Sequence, residues 1–126
     1  MAVSKIEVNS TSTTLEQGLA KAWSHFQGTS TAAHVDSNNF NTSSVDDDDV
    51  GDYGLHFTNN MGNATYAVTF GADDDGGSSV IIGSDTTNTT MAAGNFDFES
   101  YYVNATANRT NYDYANIYIV VHGDLA

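Results

Sequence analysis

Alternation of apolar and polar positions is the clearest regularity in this chain. From Asp52 to Phe57, Tyr53, Leu55 and Phe57 fall on one side and Asp52, Gly54 and His56 on the other, the period of two that a half-buried strand requires. Tyr66, Val68 and Phe70 repeat the pattern after a turn at Asn59–Asn63, and Val80–Ile82 is a short apolar run beyond Asp73–Gly77. These segments read as two hairpins in succession. Asn95 to Val103 places Phe96, Phe98 and Tyr102 inward with Asp97 and Glu99 outward, and Tyr114 to His122 closes the chain. Strands recurring about every 8–14 residues between turn clusters predict an all-β fold, a single antiparallel β-sandwich or small barrel-like domain.

The beginning of the chain is less regular. Val3 to Thr14 is polar with weak alternation and reads as an arm or docking strand, so residues 1–17 are assigned to a short N-terminal arm and 18–126 to the β domain. Thr14 to Phe26 supports two readings. Leu15, Leu19, Ala22, Trp23 and Phe26 fit helical spacing, and Thr14 with Gln17 could form a capping box. Gly18 opposes that helix, and the alternative is an arm followed by a strand from Leu19 to Phe26 that ends at Gln27-Gly28.

Composition agrees with a β domain and removes several function classes. The 126 residues suffice for one domain, and Ser, Thr and Asn compete with a helical backbone for hydrogen bonds. With no proline, no strand loses a ladder donor. With no cysteine, disulfides, thiolate metal sites and cysteine nucleophiles are excluded. Sixteen acidic residues against three basic ones give a formal charge of −13, a field that repels nucleic acid and anionic membranes. The start has no continuous apolar stretch of a secretory signal, and the longest apolar run, Ile117–Val121, is far short of the roughly 20 residues of a membrane-spanning helix.

Candidate chemistry is sparse. Four histidines (His25, His34, His56, His122) and many serines occur without a nucleophile elbow or a zinc-protease motif, so no catalytic residue is assigned. The runs Asp46–Asp49 and Asp73–Asp75 read as solvated acidic loops, with Asp48, Asp73 and Asp75 as calcium candidates, since hard oxygen ligands in loops suit that ion. Asn111, Tyr112, Asp113 and Tyr114 place two rings beside short polar groups near a strand end, a mixture suited to a glycan or protein surface, with packing as the competing explanation. The last strand carries apolar residues on both faces. Ala115, Ile117, Ile119 and Val121 would line the core, leaving Tyr114, Tyr118 and Val120 to be covered by a neighbouring sheet or an oligomer partner.

The stretch Gly18-Leu-Ala-Lys-Ala-Trp-Ser-His-Phe-Gln-Gly-Thr-Ser-Thr31 resembles a pattern, A-K-A-W-x-x-F-x-G-T-x-T, of small tail-fibre-like virion proteins and fibre tip domains of marine tailed bacteriophages. The resemblance continues through Asp36-Ser37-x-Asn39, Asn41-x-Ser43-Ser44, Gly51-Asp52-Tyr53, Phe57-Thr58 and Met61-x-x-Ala64-x-Tyr66-Ala67-Val68. It departs at Gly62, where the family has proline, and fades to strand rhythm beyond Gly71. It implies a non-enzymatic structural protein without a resident cofactor, made in the bacterial host cytoplasm and displayed on the virion exterior. That subunit is tail-fibre-like or head-decorating and has other virion proteins and a host cell-surface glycan or protein as partners. Together with the two-faced last strand it points to a homo-oligomer, a trimer by analogy with fibres. A calcium-assisted carbohydrate-binding module is the alternative.

Overall fold

A computed structural model describes residues 18–29, 32, 34–73, 80–84 and 91–126, with backbone only at 35–38. The arm expected over 1–17 lies outside the described residues, as do Asp74 and Asp75. Among the described residues nine strands form two antiparallel sheets packed face to face, a β-sandwich. They are β1 (Ala22–Phe26), β2 (His34–Phe40), β3 (Thr42–Asp49), β4 (Asp52–Phe57), β5 (Ala67–Ala72), β6 (Ile81–Ser84), β7 (Asn95–Val103), β8 (Arg109–Asn111) and β9 (Ile117–His122). The first sheet runs β2-β1-β9-β5. The second runs β3-β4-β7-β6, with β8 also paired to β7.

The local pattern locates β4 and β7 with the bounds read from the sequence, because each alternates strictly and ends at turn residues. Leu19–Phe26 forms a strand from Ala22 onward. Trp23 and Phe26 share a helical face but lie on opposite sides of a strand, so only one of them can enter the core. Phe26 does, packing edge-on against Tyr53 and Phe98 at ring separations of 5.4 and 6.1 Å. Around them Leu55, Phe57, Tyr66, Phe96, Ile117, Ile119 and Val121 fill the space between the sheets.

Two expectations are corrected. The successive hairpins β4–β5 and β5–β6 do not form: β5 pairs with β9 in the first sheet, while β4 and β6 flank β7 in the second. The chain therefore crosses between layers at each of those turns, which sets Tyr66 against Phe57 and Phe96 and Phe70 against Phe96 and Phe98 across the interior. The acidic run is likewise not a loop. Asp46–Asp49 belongs to β3, held in register by Val45↔Leu55 and Asp46↔Gly54, and its turn falls at Val50-Gly51.

Two corners fix the chain path, one between the layers and one within the second sheet. Between β2 and β3 only Asn41 intervenes, at φ +54°, a left-handed conformation that asparagine tolerates well. Its amide donates to the Lys21 and Asn59 carbonyls at 3.0 and 3.1 Å, and its Oδ1 accepts the Asn59 N–H at 2.7 Å. At the other corner Gly51 has φ +67°, and a Cβ there would stand 2.3 Å from the Ser100 carbonyl. The Gly51 carbonyl accepts the Ser100 N–H and the Ser100 carbonyl accepts the Tyr112 N–H, so β4 and β8 abut along one edge of β7.

Candidate functional site

The loop Asn111–Tyr114 lies against the Gly51 corner, and its residues divide between structure and surface. Asp113 Oδ1 accepts the Gly51 N–H at 2.6 Å and the Tyr53 hydroxyl at 2.8 Å. Burial and the adjacent Asp113 carboxylate both push the Tyr53 phenol well above its usual range, so it stays a neutral donor. Tyr114 is 1% exposed and its ring belongs to the core, which corrects the expectation of two free rings and removes it from the outer face of the last strand. Tyr112 remains at the surface, 37% exposed and packed edge-on against Tyr102 and Tyr114. Asn111 ends β8, paired with Tyr101.

The outer face of the first sheet is where exposed rings gather, and the sequence reading found only part of it. Cross-strand partners share a face, so the pairs Trp23↔Phe40, Trp23↔Val120 and Thr69↔Val120 form one row across all four strands. The pairs His25↔Tyr118 and Gly71↔Tyr118 form the next row. Trp23, Phe40 and Tyr118 are 38%, 50% and 39% exposed. His25 and Tyr118 stack with ring centroids 4.6 Å apart. The Tyr118 hydroxyl donates to Asp73 Oδ1 at 3.0 Å and the Asn116 amide donates to Asp73 Oδ2 at 2.8 Å. Asn116 Oδ1 must then accept from His25 Nε2, 2.9 Å away, which fixes the imidazole tautomer. This ring of contacts covers part of the second face within the chain and holds Tyr118 flat. Trp23, the tryptophan of the resemblance, was not singled out as a surface residue, and parity against Phe26 is the signal that could have identified it.

Charge is divided between the two outer faces. Asp46, Asp49, Asp52, Asp97 and Glu99 project from the second sheet, where His56 Nε2 lies 2.8 Å from Asp46 and Arg109 pairs with Glu99 while lying over the Tyr101 ring. Among the described side chains on the rows of the first sheet, none is acidic. Asp73 stands at one end of that face, and Lys21 and His122 stand at the other, with Asp124 beyond the strand end.

The described calcium candidates, Asp48 and Asp73, do not come together. Asp48 is exposed on β3, both oxygens of Asp73 are engaged by Asn116 and Tyr118, and Asp75 lies outside the described residues. Among the described residues no three His, Asp or Glu side chains form a metal-holding group. Among the described residues, Ser24 Oγ lies 2.9 Å from His34 Nδ1. Ser24 faces the core at 2% exposure, so the pair offers no nucleophile to a substrate. Burial lowers the His34 pKa, and its Nε2 has no partner among the described residues.

No family model, curated protein or solved structure matches this chain. Of the residues that carry the phage resemblance, Phe26, Tyr53, Phe57, Met61 and Tyr66 are buried. Gly28 is equally fixed, since a Cβ there would meet the Tyr53 hydroxyl at 2.5 Å. Trp23 differs from these buried rings by facing solvent.

Proposed function

We propose that this protein is a non-enzymatic structural subunit of a bacteriophage particle, displayed on the exterior as a tail-fibre-like or head-decorating domain that contacts the host surface. The observation that carries this reading is the division of the sandwich into an acidic outer face and a ring-bearing face on whose strand rows no described side chain is acidic, with Asp73 standing at its end. An aromatic face depleted of charge has the composition of a buried contact, and tryptophan and tyrosine dominate the energetics of such contacts. The acidic sheet then faces solvent, where repulsion keeps particles apart. Other virion proteins are the proposed partners of the subunit, and Tyr112, at the Gly51 corner, is the ring left for a host glycan or protein.

Cryo-electron microscopy of purified virions tests the assignment: density for this sandwich at a fixed copy number is the expected result, and its absence from particles overturns it. Deleting the gene separates the two roles. Loss of adsorption supports host contact, whereas unchanged adsorption with particles that rupture on heating or osmotic shock assigns the protein to capsid cementing alone. Tyr112→Ala should reproduce the adsorption loss without altering assembly.

A carbohydrate-binding module is the second reading, favoured by the adjacent exposed rings of Trp23 and Phe40, on which a sugar could stack. Glycan-array binding by the isolated protein, present with calcium and lost on chelation, would favour it over the particle subunit.

A further inference from the structure

We propose that the outer face of the first sheet seats a second copy of this chain, the two sheets stacked face to face about a two-fold axis that runs across the strands. The inference does not depend on membership of a particle.

Three observations lead to it. The face is nearly continuous in apolar and aromatic groups: Phe40, Trp23 and Val120 in one row, with the His25–Tyr118 stack in the next. Tyr118 is already held in place by its hydrogen bond to Asp73, which Asn116 braces in turn, so little side-chain freedom is lost when a partner covers it.

The second observation is where the charge lies. A partner carrying the same charge of −13 is acceptable only if the acidic layers stay apart. Packed sheets lie about 10 Å apart, so stacking first sheet on first sheet leaves the two acidic outer faces about 30 Å from each other, several times the roughly 8 Å screening length at physiological salt. Stacking through the second sheet would bring Asp46, Asp97 and Glu99 to about 10 Å from their counterparts, within range of repulsion. Only the first sheet can meet a copy of itself.

The third observation fixes the orientation. Asp73 marks one end of the face, and Lys21 and His122 mark the other. An axis across the strands opposes unlike ends and lays β5 over its counterpart with Ala67 of one copy near Gly71 of the other. An axis along the strands would oppose like ends. The contact closes after two copies, which gives a pair where the fibre resemblance implies three.

Sedimentation of the full chain across micromolar to submillimolar concentration should show a reversible monomer–dimer equilibrium. Trp23→Ser and, separately, Phe40→Ser should each weaken it by about tenfold or more, with circular dichroism unchanged. The cysteine-free chain permits a test of orientation. Ala67→Cys lies on an exposed position, and a side chain at Gly71 meets only Tyr118 atoms at 3.8 Å or more, so Gly71→Cys fits. A short bismaleimide should join the two variants when mixed far better than either with itself. A monomer at submillimolar concentration, a dimer indifferent to Trp23→Ser, or cross-linking of like variants in place of unlike ones overturns the proposal. A monomer whose single tryptophan responds to soluble dextran would overturn it in favour of a neutral glycan on the same face.

Discussion

His34 and Asp113 show how two polar side chains shape this core in opposite ways. Burial lowers the His34 pKa below its ordinary value near 6.5, so the folded state takes up this proton less readily than the unfolded chain. By linkage the stabilisation from neutral His34 is complete above pH about 6.5 and is lost as pH falls through the lowered folded value. The melting temperature should therefore drop on acidification from pH about 7 to about 5, and His34→Gln should flatten that segment of the curve. An identical profile in the variant would assign the acid sensitivity to other groups. Asp113 works by accepting two hydrogen bonds, from the Gly51 N–H and the Tyr53 hydroxyl. Asp113→Ala would strand the buried Tyr53 hydroxyl on the longer 3.2 Å contact to the Gly28 carbonyl, and should cost about 1–3 kcal/mol in urea unfolding. Gly51→Ala should cost about 2 kcal/mol or more, because the left-handed backbone and the Ser100 carbonyl both oppose a Cβ.

Among the elements, β3 is the one under greatest internal tension. Its four consecutive aspartates are all exposed, and only Val45 and Thr42 reach the core. Partial desolvation raises the Asp47 pKa, and the carboxylates of Asp113, Asp48 and Asp49 add to the shift. Like charges so close disfavour the ionised strand, so removing one should help. Asp48→Asn should raise stability at low salt by about 0.5 kcal/mol, a gain that fades as salt screens the run. A calcium ligand would behave in the opposite manner, with Asp48→Asn abolishing stabilisation by millimolar calcium at constant ionic strength. Thermal melts of both proteins with and without calcium decide between these outcomes.

For the whole molecule the dominant electrostatic fact is a charge of −13 on a chain of 126 residues, with Asp46, Asp49, Asp52, Asp97 and Glu99 gathered on a single outer face. Self-repulsion of this kind is screened over about 8–10 Å near physiological ionic strength. The melting temperature should accordingly climb from low salt to sea-water salt, and a flat or falling curve would mean that repulsion is not what limits stability. The same screening should favour face-to-face pairing, linking stability and association through one variable.

For the strictly alternating segments, becoming a strand is a local question that the chain answers itself. Asp52–Phe57 and Asn95–Val103 were legible because period-two alternation and flanking turn residues act over a few residues, without reference to the remainder of the fold. The partners of those strands were not legible. That β5 lies beside β9 while β4 and β6 flank β7 depends on how Phe70, Phe96 and Phe98 fill one interior, a choice among alternatives that local patterns leave equal. The acidic run lacked a signal of its own because its strand character comes from pairing with β4. The candidate surface divided in the same way: the loop Asn111–Tyr114 was visible as a cluster of rings, but only packing could place Tyr114 inside and leave Tyr112 outside. Parity made either Trp23 or Phe26 face outward. Tertiary structure chose Trp23, because Phe26 fits between Tyr53 and Phe98, and that choice created the aromatic face.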